Sequence, residues 1–207
     1  MATEPERKRV VAFFDGQNLF HCAKREFGHP HPNYDPGALS EHVVGRHRDW
    51  DLCEIRFYTG IHDASVSPRW NHYWSAKLAV MGTRGIATFS RTLRYHDQIV
   101  PLPDGTTTSV RIGQEKGIDI RIALDMVRMA RAGTLDVILL FSQDQDLSEA
   151  ADEVKAISRD QDRWIKVACA FPQGPAKCRG VNGTQWISIE RAAYDQCLDP
   201  IDYRRKK

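Results

Sequence analysis

Asp136–Leu147 reads DVILLFSQDQDL. Val137–Phe141 is a run of five strongly apolar residues that breaks without transition into Ser142, Gln143, Asp144, Gln145 and Asp146. A run so short and so uniformly apolar predicts a strand buried on both faces, as in parallel sheets covered by helices on each side. In such sheets the working site lies just beyond the carboxyl ends of the strands. Two carboxylates delivered there need a neutralising partner or a cation, because a charge buried without one is expensive.

Moving outward, the same pattern recurs near the start of the chain. Val10–Phe14 (VVAFF) is a second short apolar run, and it too ends on an acid, in Asp15-Gly16-Gln17-Asn18. Gly16 suits a sharp exit from the strand, and Asn18 opens an amphipathic helix to about Phe27. Further strands are predicted at Cys53–Ile61, Gly85–Leu93, Trp164–Phe171 and, as a short edge, Trp186–Ile189. Helices are predicted from the Asp35-Pro36 cap through His47, from Ser67-Pro68 to Gly82, and over Ile118–Arg131, Leu147–Ser158 and Glu190–Cys197. Alternation of buried strands with helices gives an α/β fold, a three-layer sandwich around a central, mainly parallel sheet. Arg94–Gly113, with PLPDGTTTS at its middle, reads as a small hairpin or a flap. Met1–Arg9 reads as frayed and Tyr203–Lys207 (YRRKK) as a basic tail.

The 207 residues suit a single domain, expected over 8–197 with polar termini at 1–7 and 198–207. A net charge of +2 is too small to mark a nucleic-acid protein, so any basic footprint must be local. The five cysteines are scattered with no C-x-x-C pair, which favours free thiols in a reducing compartment over disulfides or a zinc site. No apolar run approaches membrane-spanning length and the first residues are charged, so a cytoplasmic location is the default expectation and no membrane partner is expected.

Ile118, Ile122, Met126 and Met129 form an apolar stripe, which separates the two acids of that helix. Asp125 falls between Arg121 and Arg128 at helical spacing, which predicts surface ion pairs and a structural role. Asp119 lies about 240° away around the helix, in the first turn, where the helix dipole favours a negative charge. Asp15, Asp119, Asp144 and Asp146 can therefore converge on one sheet edge, with Asn18 as a neutral group able to orient a phosphate or a metal-bound water. Hard divalent cations such as Mg²⁺ prefer such oxygen ligands. Each acid also has a plainer reading as a helix N-cap. A helical stripe of Trp70, Tyr73, Trp74, Lys77, Leu78 and Met81 reads as packing against the sheet, with base stacking by Trp70 or Tyr73 as the alternative. His29-Pro30-His31 has metal-ligand spacing but no Cys or acid beside it in sequence.

Three strings, FFDGQNL at Phe13–Leu19, EKGIDIRIALDMV at Glu115–Val127 and LLFSQDQDL at Leu139–Leu147, together resemble the NYN domain family of the PIN-like nuclease superfamily, in particular its LabA-like branch. The resemblance runs from about residue 8 to residue 171. It implies a PIN-like parallel sheet, an acidic cluster binding Mg²⁺ or Mn²⁺, and hydrolysis of RNA phosphodiesters. Carried over by position, it makes Asp15, Asp119, Asp144 and Asp146 metal-binding acids and Asn18 the accompanying polar residue. Asp125 also matches a position where the family often has Asp. The family's third motif usually reads S-G-D-x-D-F; here Gln143 stands for Gly and Leu147 for Phe, and the Gln143 side chain is expected to crowd the site.

The leading expectation is a metal-dependent ribonuclease acting on RNA, single-stranded, with room for a homo-oligomer. Arg94, Arg111, Lys116, Lys177 and Arg179, all placed in loops, are the expected phosphate contacts. The rivals are an NYN-type protein that binds RNA or a partner without cutting, and a phosphatase of the haloacid-dehalogenase type. The latter wants an acid two residues after Asp15, where Gln17 stands. A Rossmann dehydrogenase is disfavoured because no G-x-G-x-x-G follows the first strand.

Overall fold

The computed structural model describes residues 2–204. The chain opens with β1 (Lys8–Asp15) and α1 (Gly16–Phe27), followed by α2 (Pro36–Val44), β2 (Trp50–Ile61), α3 (Pro68–Thr83) and β3 (Ala87–Thr92). A hairpin of β4 (Arg94–Pro101) and β5 (Thr107–Gln114) leads into α4 (Ile118–Ala132). Then come β6 (Val137–Phe141), α5 (Leu147–Asp160), β7 (Lys166–Pro172), β8 (Gln185–Ile189) and α6 (Arg191–Gln196).

Six strands form one sheet in the order β3-β2-β1-β6-β7-β8, and every neighbouring pair is parallel. The alternation of side chains explains the apolar runs. Val10, Ala12 and Phe14 enter the core on one face while Val11 and Phe13 enter the core on the other. Val137, Leu139 and Phe141 are set against Ile138 and Leu140 in the same way. Leu19 and Ala23 of α1, Leu39 of α2 and Trp74 of α3 cover the first face; Ile122 and Met126 of α4 and Ala151 and Val154 of α5 cover the second. No strand of the pair β1–β6 has a side facing water, which is why neither shows the apolar–polar alternation of a half-exposed strand.

The strand order also locates the working edge. From β1 the chain winds outward through β2 to β3, then returns to the other flank of β1 as β6 and winds outward again. The crevice between the carboxyl ends of β1 and β6 is thus the point where the winding reverses, the usual ligand position in open α/β sheets. The segment 94–113 is a hairpin standing outside this sheet, with Arg94 paired to Gln114 and Pro101 to Thr107. Its root is fixed: Leu93 N–H donates to the Ile61 carbonyl at 2.8 Å, and Asp63 N–H donates to the Tyr95 hydroxyl at 3.1 Å.

Several boundaries differ from expectation. The helix begun at Pro36 stops at Val44, and His47 instead stacks on Trp50 with ring centroids 3.9 Å apart. The start of the chain is not frayed at Lys8 and Arg9: Lys8 is buried and paired with Asp49, and Arg9 holds Asp136 at 2.9 Å. Those partners lie 41 and 127 residues away, out of reach of any local reading. The expected basic tail is ordered at its first residue, Tyr203, which is buried and edge-on to Tyr73 at 5.8 Å. Arg204 pairs with Asp202 at 2.8 Å, and the rest of that tail, 205–207, lies outside the described residues.

Candidate metal centre

Asp15 ends β1, and its carboxylate is buried. It accepts from the Asn18 N–H at 3.1 Å, so it does cap α1, and from the Ser142 hydroxyl at 3.2 Å. Ser142 in turn accepts from the Asp144 N–H at 3.1 Å, and Asp144 accepts from the Asp146 N–H at 3.1 Å. The ends of β1 and β6 are thereby joined acid to acid through one hydroxyl. Asn18 adds a second tie, its side-chain carbonyl accepting from the Gln143 N–H at 2.7 Å. That bond makes Asn18 a brace for the loop through its carbonyl. Gly16 is needed for contact rather than for φ: a Cβ there would lie 2.5 Å from the Phe57 ring.

Asp119 arrives from the far side of the sheet. Gly117, at φ +74°, turns the chain through the left-handed region into α4, which sets Asp119 in the first turn over the ends of β1 and β6. One carboxylate oxygen each from Asp119, Asp144 and Asp146 lies within 4.8 Å of the others. Asp15 sits beneath, lining with Asp119 and Asp144 a cavity of about 360 Å³. The same cavity holds an acid that sequence reasoning passed over. Glu115 accepts from the Gly60 N–H at the end of β2 and faces Asp15. Its place four residues before Asp119, across a glycine, is the signal that the sequence offers.

Burial pushes the Asp15 carboxyl up to about 6, against the two bonds it accepts, and the charges of Asp144 and Asp119 add to the rise. Burial and then Asp15 push Glu115 up to about 7, against the Gly60 bond. Among the described residues, no Lys or Arg makes an ion pair with Asp119, Asp144 or Asp146. Exposed Lys116 lines the cavity's edge without such a pair. A crowd of carboxylates with no cationic partner is held apart only by its geometry, and its donor set of hard oxygens fits a divalent cation of the Mg²⁺ class.

The NYN domain family model matches residues 9–160 of this chain. The chain belongs to the NYN domain family. NYN domains are PIN-like and generally nuclease-like; they generally bind RNA, and PIN-like nucleases typically use divalent metals. A Vibrio parahaemolyticus protein of unknown function shares the fold: its crystal structure overlays with a TM-score of 0.53 at 14% identity, covering 91% of this chain and 97% of that one. Ribokinase from Giardia lamblia overlays only loosely, with a TM-score of 0.36 at 9% identity over 80% of this chain and 48% of that one. No curated protein matches by sequence. Among the described residues no helix is long and apolar enough to cross a membrane.

In this NYN domain the two residues that depart from the family pattern are turned away from the acids or buried. Gln143 does not crowd the acids: its amide donates to the Arg179 carbonyl at 3.0 Å and accepts from Arg25 at 3.3 Å, away from the cavity. Leu147, standing for Phe, is buried against α4 and α5 neighbours. Gln17 donates to the Gly60 carbonyl at 3.2 Å, a bond that ties α1 to β2. Asp125 is paired as expected, with Arg121 and Arg128 at 3.0 Å each, yet it is buried, not on the surface. The reason is β2, whose Tyr58 hydroxyl donates to Asp125 at 2.9 Å and whose Arg56 stands at 3.4 Å. Of the expected phosphate contacts, Arg94 and Arg111 lie on the hairpin strands, not in loops, while Lys116, Lys177 and Arg179 are in loops. His29 does have an acid partner, Asp195 at 2.9 Å, and its ring leans on Tyr194, so His29 is held in packing against α6.

Proposed function

We propose that this chain is a metal-dependent ribonuclease that hydrolyses phosphodiester bonds of single-stranded RNA. The observation that carries the reading is the mutual approach of Asp119, Asp144 and Asp146 to within 4.8 Å, with no basic side chain paired to them among the described residues. Asp119, Asp144 and Asp146 would hold Mg²⁺ or Mn²⁺ from the solvent side, and buried Asp15 from beneath. Such an ion supplies an activated water and stabilises the leaving oxygen of a phosphodiester. The chain's own residues do the rest. The bonds from Ser142 and Asn18 fix Asp15 in one orientation, Asn18 braces the 143–146 loop, and Lys116 at the rim offers positive charge to the approaching phosphate.

The rival, an NYN-type protein that binds RNA or a partner without cutting, draws on the small net charge of +2 and on Gln143. The second point is weakened by the Gln143 side chain, which bonds to Arg25 and the Arg179 carbonyl. The phosphatase reading is disfavoured by Gln17, which stands where that chemistry wants an acid and donates to the Gly60 carbonyl at 3.2 Å. Labelled single-stranded RNA incubated with the chain should be cleaved in Mn²⁺ and left intact in EDTA or by Asp144→Asn, with a rate loss of about a hundred-fold or more. Cleavage indifferent to both changes would belong to a contaminant and end the nuclease reading.

A further inference from the structure

A second cavity, of about 350 Å³, lies beside the acidic one and shares Glu115 with it. Its character is different. Phe20 of α1 and Trp70 and Trp74 of α3 supply aromatic wall, and Leu93 at the hairpin root closes one side. Glu115, at the shared boundary, is the only acid among the described residues that line it, while Lys24 and His21 stand at the solvent-exposed rim. Trp74 and Tyr73 are buried, which rules out stacking by Tyr73. Trp70 is only half-buried and meets Tyr73 edge-on at 5.4 Å, so a firm ring stands open to the cavity. Phe20 is likewise half-buried, beside the His21 ring at 5.1 Å.

A packed core has no reason to leave aromatic faces on a cavity beside a charged site. A nucleobase does use such a wall: it is flat, it stacks on any aromatic ring, and it carries its phosphate alongside. Resting on the ribonuclease reading for the identity of the polymer, we propose that this cavity takes one unstacked base of the RNA strand while a neighbouring phosphate lies at the acids. Trp70 and Phe20 are the stacking surface, and Lys24 neutralises the backbone at the rim. A base inside a duplex cannot enter, so the cavity is the element that selects single strands.

The test is binding, separate from cleavage. The full chain carrying Asp144→Asn is titrated into a short fluorescein-labelled single-stranded oligoribonucleotide of mixed sequence, followed by anisotropy. Trp70→Ala should weaken binding about ten-fold or more, Trp70→Phe should restore most of it, and Phe20→Leu should fall between. An abasic residue walked along the oligonucleotide should cause a comparable loss at one position, and no additional loss there in Trp70→Ala. Annealing the complement should weaken binding as well. The abasic series uses no altered aromatic and decides the matter even where Trp70→Ala fails to fold. Tight binding that is indifferent to the abasic position and to Phe20→Leu overturns the base cavity, and Mn²⁺-dependent cleavage of the same oligonucleotide by the unaltered chain then shows that the ribonuclease reading survives. An oligonucleotide neither bound nor cleaved overturns both.

Discussion

Asp119 and Asp125 stand on one helix and meet opposite surroundings. Asp125 is 3% exposed and is met by Arg56, Arg121, Arg128 and the Tyr58 hydroxyl. Burial pulls its carboxyl upward, but Tyr58 and Arg121 overcome that and hold it below the usual carboxylate range. Asp119 is met by Asp144 and Asp146, with Asp15 and Glu115 lining the same cavity. The first acid is completed by its own chain; the second is left incomplete, and the chain around it is arranged to keep it so. The same contrast divides the two ends of β6. Asp136 at its start is clasped by Arg9, while the acids after its end have no such partner. Neutralised carboxylates hold the fold together, and the uncompensated ones are those that the proposed function assigns to a cation.

The largest effect expected from breaking that contrast is at Asp125. Asp125→Asn removes the buried charge that Arg121, Arg128 and the Tyr58 hydroxyl share and leaves half-buried Arg56 with Glu54 as its remaining carboxylate. The loss of one partner of a buried pair destabilises by about 3–5 kcal/mol, and the exposure of these arginines puts the expected loss at the low end, about 3 kcal/mol. Thermal unfolding should show a clear fall in Tm, with Mn²⁺ affinity measured by calorimetry unchanged. A variant as stable as the unaltered chain would mean that the Asp125 cluster is dispensable. Next in size is the cation itself. A ligand that binds only the folded state stabilises by about 2.7 kcal/mol at a hundred times its Kd. Mn²⁺ should therefore raise the Tm of the unaltered chain and not that of Asp119→Asn. Equal rises in both would place the ion elsewhere.

Which parts of this contrast could be read from the sequence follows from how local their causes are. The apolar runs at Val10–Phe14 and Val137–Phe141 announced buried parallel strands because both their faces are covered. Asp119 was separated from Asp125 by helical phase alone. The burial of Asp125 was not legible, because it depends on Arg56 and Tyr58, which belong to a strand far away in sequence. The orientation of Gln143 was hidden for the same reason: its partners, Arg25 and the Arg179 carbonyl, come from α1 and from the loop after β7. Glu115 escaped because it follows a strand of the outlying hairpin, and only the turn at Gly117 carries it back to the sheet edge.

Glu115 offers the finest test of the contrast, since it belongs to the uncompensated side without being one of the three clustered acids. Its folded-state pKa, about 7, is raised above the ordinary 4.5. The folded chain therefore holds this proton more tightly than the unfolded chain does. The stability it contributes is fully present below about pH 4.5, declines as the pH rises, and is gone above about pH 7. Glu115→Gln cannot titrate and keeps an oxygen for the Gly60 N–H. In EDTA it should match the unaltered chain near pH 4.5 and exceed it by about 1–3 kcal/mol near pH 8, a range that allows for the partial exposure of the group. Denaturant unfolding across that pH range measures the gap directly. Saturating Mn²⁺ should narrow it, because a cation among the acids relieves the repulsion that raises Glu115. Parallel stability curves for the two chains would show that Glu115 is not held against its neighbours' charge, and the acidic cavity would then be no more strained than the Asp125 cluster.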